Sequence, residues 1–75
     1  MKNFASYISI DSKIRFGKPC IKGTRIAVTD ILQWLASGMS NADILRDYPS
    51  LKEDDILAAL SFAANRESII KIIAA

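Results

Sequence analysis

The sequence predicts a mainly α, tri-helical domain preceded by short N-terminal β segments. Three observations carry this. After Val28 the apolar residues recur at helical spacing, as in Ile31, Trp34 and Leu35. Gly38 and the Pro49-Ser50 pair divide that periodic region into three pieces. Before Val28, short alternations with β-branched residues are interrupted by Gly17, Pro19 and Gly23, and no helical period is present. The 75 residues are read as one domain, with 1–28 as an extended β arm and 29–75 as the helical part.

Taken in order, Tyr7-Ile8-Ser9-Ile10 alternates weakly and reads as a short strand, and Asp11-Ser12 is a turn signal. Ile14 and Phe16 alternate with Lys13 and Arg15, which predicts a second half-buried extended piece. Pro19 fixes its own φ and biases Lys18 toward extended backbone. A turn at Phe16–Pro19, an extended Cys20–Lys22, a turn at Gly23 and an extended Thr24–Val28 follow. In the last run Thr24, Ile26 and Val28 are expected on a core face, with Arg25 and Ala27 on a cationic one. The first helix is expected to start at Thr29 or Asp30, bury Ile31, Trp34 and Leu35, and stop at Gly38. Ser40 and Asp43 have capping-box spacing for a second helix from Asn41 to Tyr48, burying Ile44, Leu45 and Tyr48, with Pro49 as its stop. Glu53, Asp54 and Asp55 suit the positive end of a third helix, whose buried face is read as Ile56, Ala59, Leu60 and Ala63, widened by Leu57 and Ala64. The isoleucine-rich tail is expected to continue that helix and pack on a second subunit, since it is too apolar for water.

Composition narrows the function. A chain this short buries only about 60–65% of its unfolded surface, and with one cysteine and no histidine it has neither a cystine framework nor a metal-ligand set. Oligomerisation is the expected source of extra stability. No apolar run reaches the roughly 18–20 residues that span a bilayer, and residues 1–13 lack the apolar core of a secretory signal. A cytoplasmic protein with no membrane contact is expected, and Cys20 is read as a small buried side chain. Without histidine, and with serines lacking an evident base, no enzyme and no cofactor are expected. The three adjacent carboxylates diverge around a helix, so charge matching at its N-terminus explains them better than a metal does.

Charge is unevenly placed. Six cations against Asp11 alone give residues 1–28 a charge of +5, and four cations against seven acids give residues 29–75 a charge of −3. Two different partners or self-complementary association would use such a split; a lopsided solvated surface is the plain alternative. Three short helices joined by Gly38 and Pro49-Ser50 turns also have helix-turn-helix-like spacing. The third helix opens with carboxylates that repel phosphates. The candidate nucleic-acid contacts are therefore Lys13, Arg15, Lys18, Lys22 and Arg25.

The phrases RFGKPCIKGTRIAV, DILQWLASGMS and DILRDYPSLKEDDILAALSFAANRE resemble the small prokaryotic family catalogued as domain of unknown function 433, over about residues 8 to 67. The family usually shows proline at Ala27 and threonine at Lys52. The first departure leaves the strand-to-helix entry less stiff, and the second removes an N-cap hydroxyl. The resemblance implies a homeodomain-like tri-helical fold with a short β element, a homodimer, and an antitoxin of a type II toxin–antitoxin pair that acts on a PIN-like ribonuclease toxin. The candidate partner contacts are Arg25, Arg66, Ile69, Ile70, Ile72 and Ile73. Arg25 is also the candidate for displacing a metal ion from nuclease carboxylates. A stand-alone dimeric DNA-binding transcriptional regulator is the alternative, with operator DNA as its ligand, and a plain dimeric scaffold is a further one. Because a two-stranded ribbon is marginal alone, the arm is expected to pair strands between chains.

Overall fold

The computed structural model describes residues 4–74 of the chain, with side chains described for 4–65. Two strands, β1 (Ile8–Ser9) and β2 (Cys20–Ile21), precede three helices, α1 (Val28–Ala36), α2 (Asn41–Asp47) and α3 (Glu53–Ala74). Short 3-10 turns lie at Ala5–Tyr7 and Arg15–Gly17. The strands pair antiparallel, Ile8 opposite Ile21 and Ser9 opposite Cys20. Cys20 bridges on its other side to Ala27. The arm thus has a strand partner within its own chain. Lys22 N–H donates to the Tyr7 carbonyl at 2.8 Å and Ile21 N–H to that of Ile26 at 2.9 Å.

The helix ends follow local chemistry. α1 starts one residue before Thr29, so the expected start at Thr29 or Asp30 is corrected. Ala27 flanks it in extended backbone and has no side-chain acceptor; Asp30, in the first turn, reaches back to accept from the Ala27 N–H at 3.0 Å. A carboxylate there also meets the positive helix end. At the other end Gly38 takes φ 102°. Its N–H donates to Leu35 and that of Met39 to Trp34, both at 3.1 Å, which is the paired closure of a Schellman motif. Ser40 and Asp43 form the reciprocal box read from their spacing, with Asp43 N–H donating to Ser40 Oγ at 3.1 Å and Ser40 N–H to Asp43 Oδ2 at 3.0 Å. That bonding holds the Asp43 carboxyl below the ordinary aspartate range, mainly through the Ser40 backbone N–H, with Arg46 adding to it. At α3, where Lys52 offers no hydroxyl, Asp55 alone caps the Lys52 N–H at 2.8 Å.

The core gathers Ile21 from β2, Val28 and Ile31 from α1, Ile44 from α2, Leu51 from the connecting turn, and Ile56 and Ala59 from α3. Ile31, Ile44 and Ile56 are completely buried, each worth about 1.5–3 kcal/mol of apolar transfer. α3 packs chiefly on α1. Trp34 at the end of α1 stacks on Tyr48 after α2, centroids 4.1 Å apart and planes 11° from parallel. Cys20 is buried as expected, its thiol 3.3 Å from the Lys18 carbonyl.

Three burial expectations are corrected. Ala27 is fully buried, not on the cationic face, because its bridge to Cys20 turns it inward. Phe16 is not half-buried but fully solvent-exposed. On α3, Ala58 is buried while Leu57 and Leu60 remain 41% and 42% exposed, and Ala64 is exposed. The inner side is marked by Ala58 and Ala59, both buried, with Phe62 packed against the core. The tail does continue α3, to Ala74. The side chains of Arg66, Ile69, Ile70, Ile72 and Ile73 lie outside the described residues.

Candidate functional site

Between Ile14 and Lys18 the chain makes a tight knuckle. Arg15, Phe16 and Gly17 take φ of 51°, 59° and 82°, three left-handed residues in succession. Glycine bears this freely, but each side chain with a Cβ is disfavoured there by about 1–2 kcal/mol. Gly17 N–H donates to Ile14 at 3.1 Å and Lys18 N–H to Arg15 at 3.2 Å, closing two turns back to back. Phe16 is at the apex, its ring free of the core.

Arg15 fixes the knuckle to the rest of the fold. Its Nη1 lies 2.5 Å from Asp30 Oδ2 and 3.0 Å from the Arg25 carbonyl. One guanidinium therefore ties the knuckle to the first turn of α1 and to the hairpin of residues 19–28. The hairpin is closed by Val28 N–H donating to Pro19 at 2.9 Å. At its tip Thr24 Oγ1 accepts from Ile26 N–H at 3.0 Å and donates to the Ile21 carbonyl at 2.9 Å. Partial burial pushes the Asp30 pKa up, but the Ala27 N–H, the Arg15 guanidinium and the Lys18 charge outweigh it, and the carboxyl sits below its ordinary value.

The result is an open concavity lined by Arg15, Phe16, Lys18 and Arg25. Of the five candidate cations, the structure brings together Arg15, Lys18 and Arg25. Lys18 and Arg25 are exposed, whereas Arg15 is 31% exposed and committed to Asp30. Lys13 and Lys22 are exposed but do not line the concavity; Lys13 follows the Asp11 turn, its N–H on Asp11 Oδ1 at 2.9 Å. Sequence reasoning missed Phe16, because Lys13-Ile14-Arg15-Phe16 alternates like a strand. An aromatic between a cation and the Gly17-Lys18-Pro19 break was the signal for an apex.

The acidic opening of α3 is occupied by structural roles. Asp55 caps the helix, Glu53 accepts from Asn41 Nδ2 at 2.9 Å, and Asp54 accepts from the Tyr7 hydroxyl at 3.4 Å. Among the described residues, no group of three His, Cys, Asp or Glu side chains is placed to hold a metal ion, and no helix is long and apolar enough to cross a membrane. A second surface feature lies on α3. Leu57, Leu60 and Ala64 follow i, i+3, i+7 spacing, so they share one side of the helix, and all three are exposed.

Comparison with known proteins accords with this architecture. The chain is similar to a DUF433 member protein from Anabaena variabilis ATCC 29413, known from a crystal structure at 2.00 Å resolution, with 29% sequence identity and a TM-score of 0.76. The similarity covers 95% of this chain and 71% of that one. No curated protein sequence matches the chain. The family described as "Protein of unknown function (DUF433)" matches residues 8–63, which takes in the knuckle, the hairpin, α1, α2 and the first half of α3. The chain therefore belongs to the DUF433 family.

Proposed function

We propose that the chain is the antitoxin of a type II toxin–antitoxin pair, neutralising a PIN-like ribonuclease toxin by protein–protein binding. The observation that carries this is the outer side of α3, where Leu57 and Leu60 stay 41% and 42% exposed on the longest helix of the chain. A helix with an unpartnered apolar side fits a groove on another protein. The family resemblance supplies the class of partner. In this reading the protein is a cytoplasmic homodimer with a homeodomain-like arrangement of its helices and no catalysis of its own. Arg25 is exposed and has no ion pair among the described residues, which suits a cation that enters a carboxylate-lined nuclease site. Co-expression with the product of the adjacent gene tests the proposal. The two proteins should co-purify and growth should be restored, and Leu57→Glu with Leu60→Glu should abolish both. A chain that neither captures that product nor relieves its toxicity is not its antitoxin.

The grouping of Arg15, Lys18 and Arg25 supports a second reading, a dimeric DNA-binding regulator acting alone or repressing the operon of the pair. Binding to the upstream duplex would then weaken with salt, by a log–log slope of about −0.9 for each phosphate neutralised. A shift assay at low salt with no retarded duplex removes it.

A further inference from the structure

Phe16 is the most exposed large apolar side chain among the described residues, at 101%. It is held in an unfavourable backbone conformation, φ 59° and ψ 34°, next to a second one at Arg15. Strain of this kind persists only where the surroundings enforce it, and here the Arg15 bonds to Asp30 and to the Arg25 carbonyl do so. Hydrophobic burial does not explain the conformation, since the ring buries nothing. What the clamp achieves is display: a planar aromatic ring at an apex, with Lys18 and Arg25 on the rim of the same concavity.

The ligand that matches is anionic and has a flat face. One such concavity by itself offers a duplex little, and the dimer of the second reading would have to supply further phosphate contacts. The bases of a duplex are paired and stacked, and duplex binders commonly rely on about 6–10 phosphate contacts. Here Arg15 is committed to Asp30, and Lys13 and Lys22 lie off the concavity, which leaves Lys18 and Arg25 beside the ring. As the whole of a protein interface the ring is too small, because one ring supplies about 150–250 Å² of apolar surface against the roughly 800 Å² per partner of a standard interface. Stacking of one unpaired base needs a single ring, and cations beside it suit the flanking phosphates.

We propose that Phe16, Lys18 and Arg25 form a single-stranded nucleic-acid site, in which one unpaired base stacks on the Phe16 ring and its neighbouring phosphates pair with Lys18 and Arg25. This does not rest on the antitoxin reading. Fluorescence anisotropy of the full chain with labelled dT12, rU12 and a 12-base-pair duplex tests it. Both single strands should bind more tightly than the duplex, and the dT12 and rU12 arms separate DNA from RNA as the source. Phe16→Ala should weaken single-strand binding by roughly 10- to 100-fold, and Phe16→Trp should retain it. The salt slope for single strands should be near −1.4, about −0.7 for each of two phosphates, and should halve in Arg25→Gln. Equal binding by the wild type and Phe16→Ala, no binding of either single strand, or preference for the duplex overturns the proposal. So does a Phe16→Ala chain that loses capture of the adjacent-gene product yet binds oligonucleotide unchanged, since the knuckle would then be a protein contact. Failure of the antitoxin reading is seen separately, as lost rescue of growth with single-strand binding intact.

Discussion

The three-helix body and the knuckle at Arg15–Gly17 handle their polar and apolar groups in opposite ways. In the body, isoleucines are completely buried and the helix starts are closed by Asp30, Ser40 with Asp43, and Asp55. In the knuckle, a phenylalanine is fully exposed on left-handed backbone beside Lys18 and Arg25, which face solvent. The body lowers its own free energy almost everywhere, and the knuckle raises it locally while leaning on the body through one guanidinium. A part that costs stability and is nonetheless held in place is better understood as a contact surface than as a structural element.

Mutations can break or sharpen this contrast. The largest effect is expected in the body: Ile44→Ala removes a completely buried side chain and should cost about 2–5 kcal/mol in urea denaturation followed by circular dichroism. For a domain this small, that is most of the total. Next comes the link between the two regions. Asp30→Asn weakens the bond to Arg15, which is about a third exposed, and should cost about 1 kcal/mol at pH 7 after allowance for solvent screening. The sign with pH follows from the lowered folded pKa of Asp30. Its contribution is present above the unfolded aspartate value of about 3.9 and is lost as pH falls through the folded value. The wild type and Asp30→Asn should therefore converge in stability as acid is added; a gap that stays constant to low pH refutes the clamp.

Smaller effects test the knuckle and the outer side of α3. Phe16→Gly should stabilise the chain by about 0.5–1 kcal/mol, because relief of left-handed strain exceeds the added freedom of the unfolded chain. Loss of stability in that variant would show that the ring packs on something. Leu60→Gln should leave stability within about 0.5 kcal/mol, in sharp distinction from Ile44→Ala, while weakening capture of a partner that uses α3.

How much of this was legible follows the range of the interactions. The Ser40–Asp43 box, the Gly38 stop and the Pro49 end depend on neighbours three or four residues apart, and the sequence shows them directly. The α1 start was misplaced because Thr29 resembles a cap, whereas Asp30 reaches back from inside the helix. A turn near Phe16–Pro19 was legible from Gly17 and Pro19, but its left-handed form at Arg15 and Phe16 was not, because Arg15 meets Asp30, fifteen positions away. The outward turn of Leu60 was hidden too, since α3 carries apolar residues around much of its circumference and only the docking of Ala58 and Ala59 against its neighbours selects the inner side. At the candidate site the cations were evident from composition, but which of them share a concavity, and the aromatic among them, required the fold.

The stack of Trp34 on Tyr48 has a practical consequence. Trp34 is the chain's one indole, and it sits where α1 hands over to α2, far in sequence from Phe16. Its emission is thus an optical gauge of whether those two helices remain closed upon each other. Light read at Trp34 while ligands are added at the knuckle would distinguish a body that stays rigid from one that yields.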